Sequence, residues 1–398
     1  MRRRVVLTGA GTVNPLGGDV DASFQALTEG RVAIAPLAIA EAQRLSIRIG
    51  AAVAGFDPSA HLPPARAAQL DRFAQMAVVA ARQALADSGL TPGPWQTTAG
   101  AILGTAGGGL ATQEAAYRAV YAEGRSRVPP LTVPKLMGNA APSAVATDLG
   151  LWGPSFALAS ACASSNHALA LAVQMVRAGS SPVMLAGGAE AMLGFTGIKA
   201  WEALQVLSPT GCRPFGADRD GMVMGEGAAV FVLEDRDHAL ARGAAVRAEI
   251  VGIAMGADAE DLVRPSARGA ERTIRAALHD AGLTPDRIAL IKAHGTGTQA
   301  NDQAEAEALH AIWGEAVPAI TAPKALHGHL IGAAGAVELL TCLLALQRGI
   351  VAPAPQPADP ALSLDLVAGA ARPADVPICL SLAFAFGGLN AVLALSRG

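Results

Sequence analysis

One cysteine, three histidines and one lysine lie in three short segments of this chain, and these residue types together could transfer an acyl group from a thioester. They are Cys162 in 160–164, His294 in 294–298, and Lys324, His327 and His329 in 324–329. A thiolate is a nucleophile, imidazoles donate or accept protons, and an ammonium group stabilises developing negative charge. The set therefore predicts covalent chemistry through Cys162.

The surroundings of Cys162 predict a turn from a strand into a helix. An apolar extended run, 155–159, precedes it, and a segment with apolar residues at helical spacing follows and stops at Gly179. Because the positive end of a helix favours an anion, we expect the thiol pKa to lie below its ordinary value of about 8.5. The alternative is a small buried hydrophobe, the usual role of a lone cysteine. The histidine segments favour the nucleophile.

Composition indicates a large globular protein with a partner. Of 398 residues 52% are hydrophobic and 16% are charged, whereas ordinary soluble domains have about 25% charged residues. We therefore expect a subunit to cover part of the surface, most simply in a homodimer, although a heterodimer with a sister subunit stays open. A net charge of −3 without a long basic run gives nucleic acid little to bind, so we expect no nucleic-acid partner.

Several segments bear on location and redox state. The apolar stretch after Arg2, Arg3 and Arg4 is too short for a signal peptide. The most apolar stretch, 330–346, contains Glu338, so we expect no membrane span and a cytoplasmic protein. Four cysteines lack metal-ligand spacing and disulfide-scaffold density, so we expect reduced thiols and no metal.

Residues 84–92 recur at 277–285, with seven of nine positions identical. Each copy ends an amphipathic helix at Gly-Leu-Thr-Pro and precedes an apolar strand. The pattern predicts two duplicated α/β halves, 1–243 and 244–398, with largely parallel sheets covered by helices. A common helix ending is the alternative explanation for this repeat.

A glycine-bearing start, 9–14, could be mistaken for a dinucleotide-binding turn. It lacks the last glycine of that motif, and Asn14-Pro15 would break the helix that a pyrophosphate needs. We therefore expect no Rossmann site.

From Val5 to Leu395 the chain resembles the β-ketoacyl-acyl-carrier-protein synthases, the ketosynthases of fatty acid and polyketide assembly. The matching stretches are Ser-Ala-Cys at 160–162, Arg-Pro-Phe at 213–215, 218–221, Gly-Glu-Gly at 225–227, His-Gly-Thr-Gly-Thr at 294–298, Gly-His at 328–329, 332–335 and the gate loop 384–390. The resemblance implies a thiolase-like fold, two α/β halves in a five-layer αβαβα arrangement, usually as a dimer.

The resemblance also implies roles for individual residues. Cys162 would take the acyl chain, and His294 and His329 would stabilise the enolate left by decarboxylation of malonyl-acyl-carrier protein. Lys324 would pair with Glu338 and orient the site. Other implied roles are an oxyanion hole from the backbone of Cys162 and Phe386, a gate at Phe386, pantetheine contacts at Thr296 and Thr298, and substrate contacts at Gly107 and Phe384. Substrates would arrive on the phosphopantetheine of acyl carrier protein, without another cofactor.

Three residues depart from the family pattern. His327 replaces a threonine, Ala385 a glycine and Leu389 a threonine. Alanine tolerates positive φ poorly, so we expect a stiffer gate loop. A short segment, 207–213, is more similar to ketosynthases of specialised polyketide or aryl-polyene pathways. The acidic residues Asp302 and Glu305 we interpret as structural, because they open a helix where acids favour the dipole.

Two other functions remain open. A thiolase working on coenzyme A esters uses a second cysteine in a C-terminal glycine-rich loop, which 384–390 lacks. A silent partner subunit of the chain-length-factor type lacks the nucleophile, which this chain keeps. The sequence favours the elongating ketosynthase.

Overall fold

The computed structural model of the protein describes residues 2–398. Its fourteen strands are β1 Val5–Val13, β2 Ala35–Pro36, β3 Ile49–Gly50, β4 Ala101–Gly104, β5 Phe156–Leu158, β6 Val183–Glu190, β7 Gly227–Asp235, β8 Ala248–Ala257, β9 Leu290–Lys292, β10 Ala319–Thr321, β11 Ile350–Val351, β12 Arg372–Pro373, β13 Ile378–Ala385 and β14 Leu389–Ser396. Its α-helices are α1 Val20–Glu29, α2 Pro64–Ala68, α3 Arg72–Ser88, α4 Leu110–Tyr117, α5 Thr132–Leu136, α6 Ala140–Leu149, α7 Ser164–Arg177, α8 Phe195–Ala203, α9 Arg236–Ala241, α10 Ala267–Ala281, α11 Gln299–Trp313, α12 Lys324–His327 and α13 Ala334–Arg348.

Ten strands form one sheet in the order β10-β9-β13-β14-β8-β1-β7-β6-β4-β5. The two central strands share only two residue pairs, Val6 with Glu249 and Leu7 with Ala248, so the sheet divides there into two groups of five. Outward from the centre the groups run β1-β7-β6-β4-β5 and β8-β14-β13-β9-β10, each with two antiparallel pairs followed by two parallel pairs. This matching order is the expected duplication of two α/β halves.

The sheet is mixed, so the expectation of largely parallel sheets was wrong. Apolar periodicity shows that a strand is buried, but it does not show which way a neighbouring strand runs. The outer pairs alone, β6-β4-β5 and β13-β9-β10, are parallel, because helices connect them.

Helices form three layers around the two strand groups. Helices α7 and α13 lie in the middle and contact strands of both groups. Helices α3 and α6 cover the outer face of the first group, and α10 with α11 covers the second. The five-layer αβαβα arrangement that the resemblance to ketosynthases implied is therefore present.

The repeated sequence closes equivalent helices in the two halves. Residues 84–92 end α3 at Gly89, and 277–285 end α10 at Gly282, with φ of 66° and 65°. A left-handed residue at this position lets backbone amides reach the last carbonyls of the helix, which favours glycine. The predicted join at 243 falls in the connection between α9 and β8.

The apolar stretch 331–348 is long and apolar enough to cross a membrane, with a mean hydropathy of 1.4, but 89% of that window is buried within the fold. It contains α13 of the middle layer, where both faces pack against protein. A helix that is apolar all round suits such a position.

Glycines 9 and 11 lie inside β1 and serve packing, because they let α3 approach the strand closely. A Cβ on Gly11 would lie 2.1 Å from the Ala80 carbonyl oxygen, and one on Gly9 would lie 2.1 Å from that of Ala84. The first glycine-bearing segment is thus a strand packed on a helix.

We predict that Gly11→Ala lowers the free energy of unfolding by about 1–3 kcal/mol, because backbone atoms of α3 must move to admit the methyl group. Gly18→Ala is the matched control, since nothing lies within 4 Å of its Cβ position. Thermal and denaturant unfolding measure both. Equal stability of the two variants would contradict this close packing of α3 on β1.

Candidate active site

A tight turn between β5 and α7 presents Cys162. Ala161 has φ of 47°, an uncommon conformation for a residue with a side chain. The Ser164 hydroxyl accepts the Ser160 N–H at 2.8 Å and donates to the Ala161 carbonyl at 2.7 Å, which holds the turn. Cys162 is buried, yet its side chain lines a cavity.

The thiol pKa differs from the sequence expectation. Burial raises the pKa of Cys162 to about 12, although the Lys324 charge acts to lower it. We expected the helix N-terminus to lower this pKa below its ordinary value, and that expectation was wrong in direction. Loss of water around a thiolate outweighs the favourable partial charge of α7.

His294 follows β9 and is fixed from both sides. Its backbone N–H and that of Gly295 donate to the Glu305 carboxylate at 2.6 and 2.8 Å. The Lys324 ammonium lies 3.2 Å from Nδ1 and also donates to the His294 carbonyl. Because an ammonium group can only donate, Nδ1 must accept and Nε2 carries the proton.

His329 has the same tautomer for a different reason. Its Nδ1 accepts the Ile331 N–H at 3.0 Å, so its proton also lies on Nε2, which is buried without a partner. Ile331 has φ of 47°, which is rare for a β-branched residue and costs of order 1–3 kcal/mol. The strained backbone aims the amide at the ring.

The two imidazoles and the thiol meet in one place. Polar atoms of Cys162, His294 and His329 lie within 4.8 Å of one another, and the rings meet edge to face at 5.5 Å between centroids. Burial, followed by the Lys324 charge, holds the pKa of both histidines well below the usual range. Both rings are therefore neutral Nε2–H donors. Their lone pairs are already used, so neither ring suits a metal ion.

The Glu338 carboxylate binds two buried ammonium groups. Lys324 lies 2.7 Å from Oε1, which is the pair that the sequence resemblance implied. Lys292 lies 2.7 Å from Oε2 and was not anticipated. Burial acts to raise the pKa of Glu338, but the charges of Lys292 and Lys324 outweigh it and lower that pKa to about 2. The carboxylate stays ionised at any working pH.

The cavity beside Cys162 brings together most of the predicted substrate contacts. Thr296, Thr298, Phe384 and Phe386 all line it. The two threonine hydroxyls lie 2.9 Å apart, and Thr298 also caps α11. Phe386 stacks on Trp201 with 5.8 Å between ring centroids. Nothing in the sequence pattern had singled out this tryptophan.

The gate loop, 384–390, changes direction at two glycines and is fixed by a hydrogen bond at its C-terminal end. Gly387 and Gly388 have φ of 82° and 67°, whereas Ala385 is the last residue of β13 without positive φ. Ala385 therefore does not have to resist a positive φ, so the physical reason for a stiffer loop was wrong. Asn390 donates to Asp258 at 2.6 Å and fixes the far end. The Leu389 departure lies at the start of β14.

Gly107 lies outside the residues that line this cavity. Its N–H donates to Glu190 at 3.1 Å, and a Cβ there would come within 2.9 Å of the Met192 sulfur. A role for Gly107 as an acyl-pocket wall stays a prediction. Met192 occupies the space that the missing side chain leaves.

His327 is fully buried in α12 and does not line the cavity. Its Nδ1 lies 2.8 Å from the Gly328 carbonyl, while Nε2 has no partner. Burial lowers its pKa to about 4, so the ring is neutral at pH 7. This departure therefore adds no charge beside His329 near neutral pH.

Three buried charged residues, Asp302, Glu305 and Lys292, hold the site in place in ways that the sequence did not predict. Glu305 and Asp302 are fully buried, and they accept backbone N–H groups of the 294–297 loop instead of only opening α11. The helix-dipole interpretation missed this, because a loop N–H leaves no mark in the sequence. Lys292 was missed because a single lysine in an apolar strand resembles an edge residue.

The chain matches the families "Beta-ketoacyl synthase, N-terminal domain" over residues 2–239 and "Beta-ketoacyl synthase, C-terminal domain" over residues 247–356. It is 44% identical to nodulation protein E of Rhizobium sp. (strain N33), with 99% of both chains covered. It is 36% identical to 3-oxoacyl-[acyl-carrier-protein] synthase 2 of Synechocystis sp., covering 100% of this chain and 98% of the relative.

Solved structures agree with these relatives. The ishigamide ketosynthase/chain length factor is 33% identical with a TM-score of 0.95, over the full length of both chains. A type II polyketide ketosynthase in complex with its acyl-carrier protein, AntDE:AntF, is 27% identical with a TM-score of 0.90, again over the full length of both. With a thiol and two neutral imidazoles at the meeting point of two matching halves, this chain belongs to the β-ketoacyl synthase family.

Proposed function

We propose that the protein elongates an acyl chain by decarboxylating Claisen condensation. An acyl group on Cys162 and malonyl-acyl-carrier protein would give β-ketoacyl-acyl-carrier protein and carbon dioxide. The observation that carries this proposal is the convergence of one thiol with two neutral Nε2–H donors, from His294 and His329. A thioester enolate needs such donors and no competing nucleophile.

In the first half-reaction Cys162 loses its proton and attacks the thioester carbonyl carbon. The tetrahedral oxygen then needs amide donors, which we assign to the backbone of Cys162 and Phe386. The phosphopantetheine thiol leaves with a proton, and the acyl group stays on sulfur. Against the burial of the thiol, the N-terminus of α7 and the Lys324 ammonium favour the thiolate.

In the second half-reaction the malonyl group loses carbon dioxide, and the electron pair stays behind as an enolate. The Nε2–H groups of His294 and His329 donate to the enolate oxygen. The nucleophilic carbon attacks the acyl carbonyl on Cys162, a carbon–carbon bond forms and the carbon–sulfur bond breaks. The released thiolate then takes up a proton, which balances the reaction.

Two alternatives are less well supported by the residues. A thiolase would need a second reactive cysteine, but Cys379 lies in β13 in the core beside Cys342, and neither lines the cavity. A silent partner subunit needs no nucleophile, whereas here Cys162 and both histidines are kept and aligned. We therefore favour a competent condensing subunit.

The carrier and the pathway are part of this proposal. Thr296 and Thr298 line the cavity, and we assign them to the pantetheine arm without invoking another cofactor. The Synechocystis relative is named for an acyl-carrier-protein substrate, and AntDE binds its carrier protein. Elongation in fatty acid synthesis and elongation in polyketide synthesis are both compatible with these residues and relatives. We also propose a cytoplasmic location, for which the four free cysteines are suited.

A second ketosynthase-fold subunit is proposed to bind along β5. This strand ends the sheet order and leaves an open edge. Large exposed hydrophobic side chains are concentrated in the segment leading to β5 and at its first residue, which argues for a covered interface. They are Tyr117, Tyr121, Leu131, Val133, Met137, Trp152 and Phe156. Expression of the chain alone distinguishes the two assemblies, because a homodimer forms without a second protein and an obligate heterodimer does not.

We predict that Cys162→Ala abolishes condensation, while His294→Ala and His329→Ala keep some self-acylation but lose most malonyl decarboxylation. Removing an enolate donor should lower turnover about 100-fold or more. Carbon dioxide release from labelled malonyl-acyl-carrier protein measures the second step. Cys212→Ala is the control, because its thiol is buried outside the cavity lining. A histidine variant that condenses at the native rate would remove its assigned role.

The raised thiol pKa predicts a steep pH dependence for alkylation of Cys162. Because only the thiolate reacts, and its pKa lies near 12, the iodoacetamide rate should rise about tenfold per pH unit between pH 7 and 9. Cys162→Ser gives the background from other residues. A rate that levels off below pH 9 would show that the thiol is already activated in the resting enzyme.

The β5 edge predicts that Trp152→Glu weakens subunit association, because a charge on the apolar face must lose water to be covered. Sedimentation of dilute protein should show a shift from dimer to monomer. Leu240→Glu on α9 is the control, since that side chain is also exposed but lies away from this edge. A native protein that is monomeric at all concentrations would contradict a homodimer.

A further inference from the structure

Lys292 is a fully buried lysine in the strand that leads into the active site. It is the last residue of β9, two positions before His294, and its side chain has no exposure to solvent. Its ammonium donates to Glu338 Oε2 at 2.7 Å and to the Leu382 carbonyl at 2.6 Å. These contacts join β9, α13 and β13 inside the core.

The charges of this cluster do not cancel. Glu338 supplies one negative charge, and Lys292 and Lys324 supply two positive charges, so one positive charge remains. A lysine and a glutamate alone would already form a neutral pair. Burying another charge costs desolvation free energy. A second buried ammonium group is therefore expected to have a function that offsets this cost.

The excess charge lies beside the reacting atoms. Lys324 contacts the His294 ring, and its charge acts on the Cys162 thiol in the direction that favours the thiolate, whereas Glu338 acts in the opposite direction. A group that offsets Glu338 therefore strengthens the effect of Lys324 on the site. Lys292 is in direct contact with that carboxylate.

We propose that Lys292 is a positioning residue that neutralises Glu338, so that the Lys324 ammonium stabilises the Cys162 thiolate and the enolate as an uncompensated positive charge. The enolate part of this inference rests on the proposed function. Lys292 touches neither substrate nor thiol and acts through Glu338 and Lys324. Its bond to Leu382 also fixes β13, two residues before Phe384 of the cavity.

Among residues 2–398, no other group around the cluster supplies the same charge. The remaining titratable side chains that face it are Glu190, Glu305, His294, His327, His329, Cys212 and Cys379. Burial raises the pKa of the Cys212 thiol, and the contact with Cys342 together with burial raises that of Cys379, so both thiols are neutral near pH 7. The three histidines are neutral near pH 7. Burial raises the pKa of both glutamates to about 7, although the hydrogen bonds that each carboxylate accepts from backbone N–H groups act to lower it. When ionised, Glu190 and Glu305 add negative charge, so they cannot replace the positive charge of Lys292.

The test compares Lys292→Gln and Lys292→Met with Lys292→Arg. Glutamine keeps a donor for Glu338 or Leu382 without charge, methionine removes both, and arginine restores the charge. The readout is the iodoacetamide alkylation rate of Cys162 between pH 7 and 9, with folding checked by circular dichroism. Both neutral variants should react about tenfold more slowly at each pH, equivalent to one pKa unit. Arginine should recover most of the rate.

Condensation measured on the same proteins adds a second readout. The neutral variants should lose kcat with little change in KM for the carrier-bound substrate, because Lys292 lies outside the substrate cavity. Lys199→Gln is the matched control, since Lys199 is exposed on α8 and pairs with Glu202 at the surface. It should behave as the native protein in both assays.

Folded Lys292→Gln with a native alkylation rate would overturn the inference, as would equal losses in the glutamine and arginine variants. If methionine prevents folding, the glutamine and arginine pair still decides the question. Alkylation needs no carrier protein, so this test stands apart from the proposed function. Failure of the native protein to condense would remove the proposed function and leave the alkylation result intact.

Discussion

The Glu338 carboxylate, bound between two buried ammonium groups, is the contact on which the geometry of the site depends. Through Lys324 it holds the Nδ1 side of His294, and through Lys292 it joins α13 to β9 and β13. Its pKa of about 2 keeps it charged, so these contacts do not change near neutral pH. The Nε2–H of His294 consequently points away from Lys324, where a substrate oxygen can accept it.

The site exists only where the two halves of the fold meet. The first half supplies Cys162 at the start of α7, and the second supplies both histidines, Lys324 and Glu338. Helices α7 and α13 lie side by side between the strand groups, so a residue near the beginning of one faces residues of the other. The two matching halves thus form a central layer in which polar groups from both halves are shielded from water. Shielding strengthens each electrostatic contact and also makes each unpaired charge costly.

The sequence predicted the parts of this structure that leave a local pattern. The repeat at 84–92 and 277–285 predicted the two halves, and the resemblance to ketosynthases indicated which thiol, imidazoles and ion pair to expect. Features that depend on three-dimensional surroundings were missed. The thiol pKa was wrong because burial outweighs the helix end, and the sheet direction was wrong because burial patterns carry no direction. Lys292 stayed hidden because its partners lie 46 and 90 residues away.

In the proposed mechanism one thiol, that of Cys162, carries the acyl group between the two chemical steps. Incubation of the protein with an acylated carrier protein, followed by intact-mass spectrometry and peptide mapping, checks where the acyl group goes. We expect one acyl group on Cys162, which disappears on addition of malonyl-acyl-carrier protein as an equal amount of β-ketoacyl product and carbon dioxide forms. An acyl group on another residue, or one on Cys162 that malonyl-acyl-carrier protein does not discharge, would contradict the account.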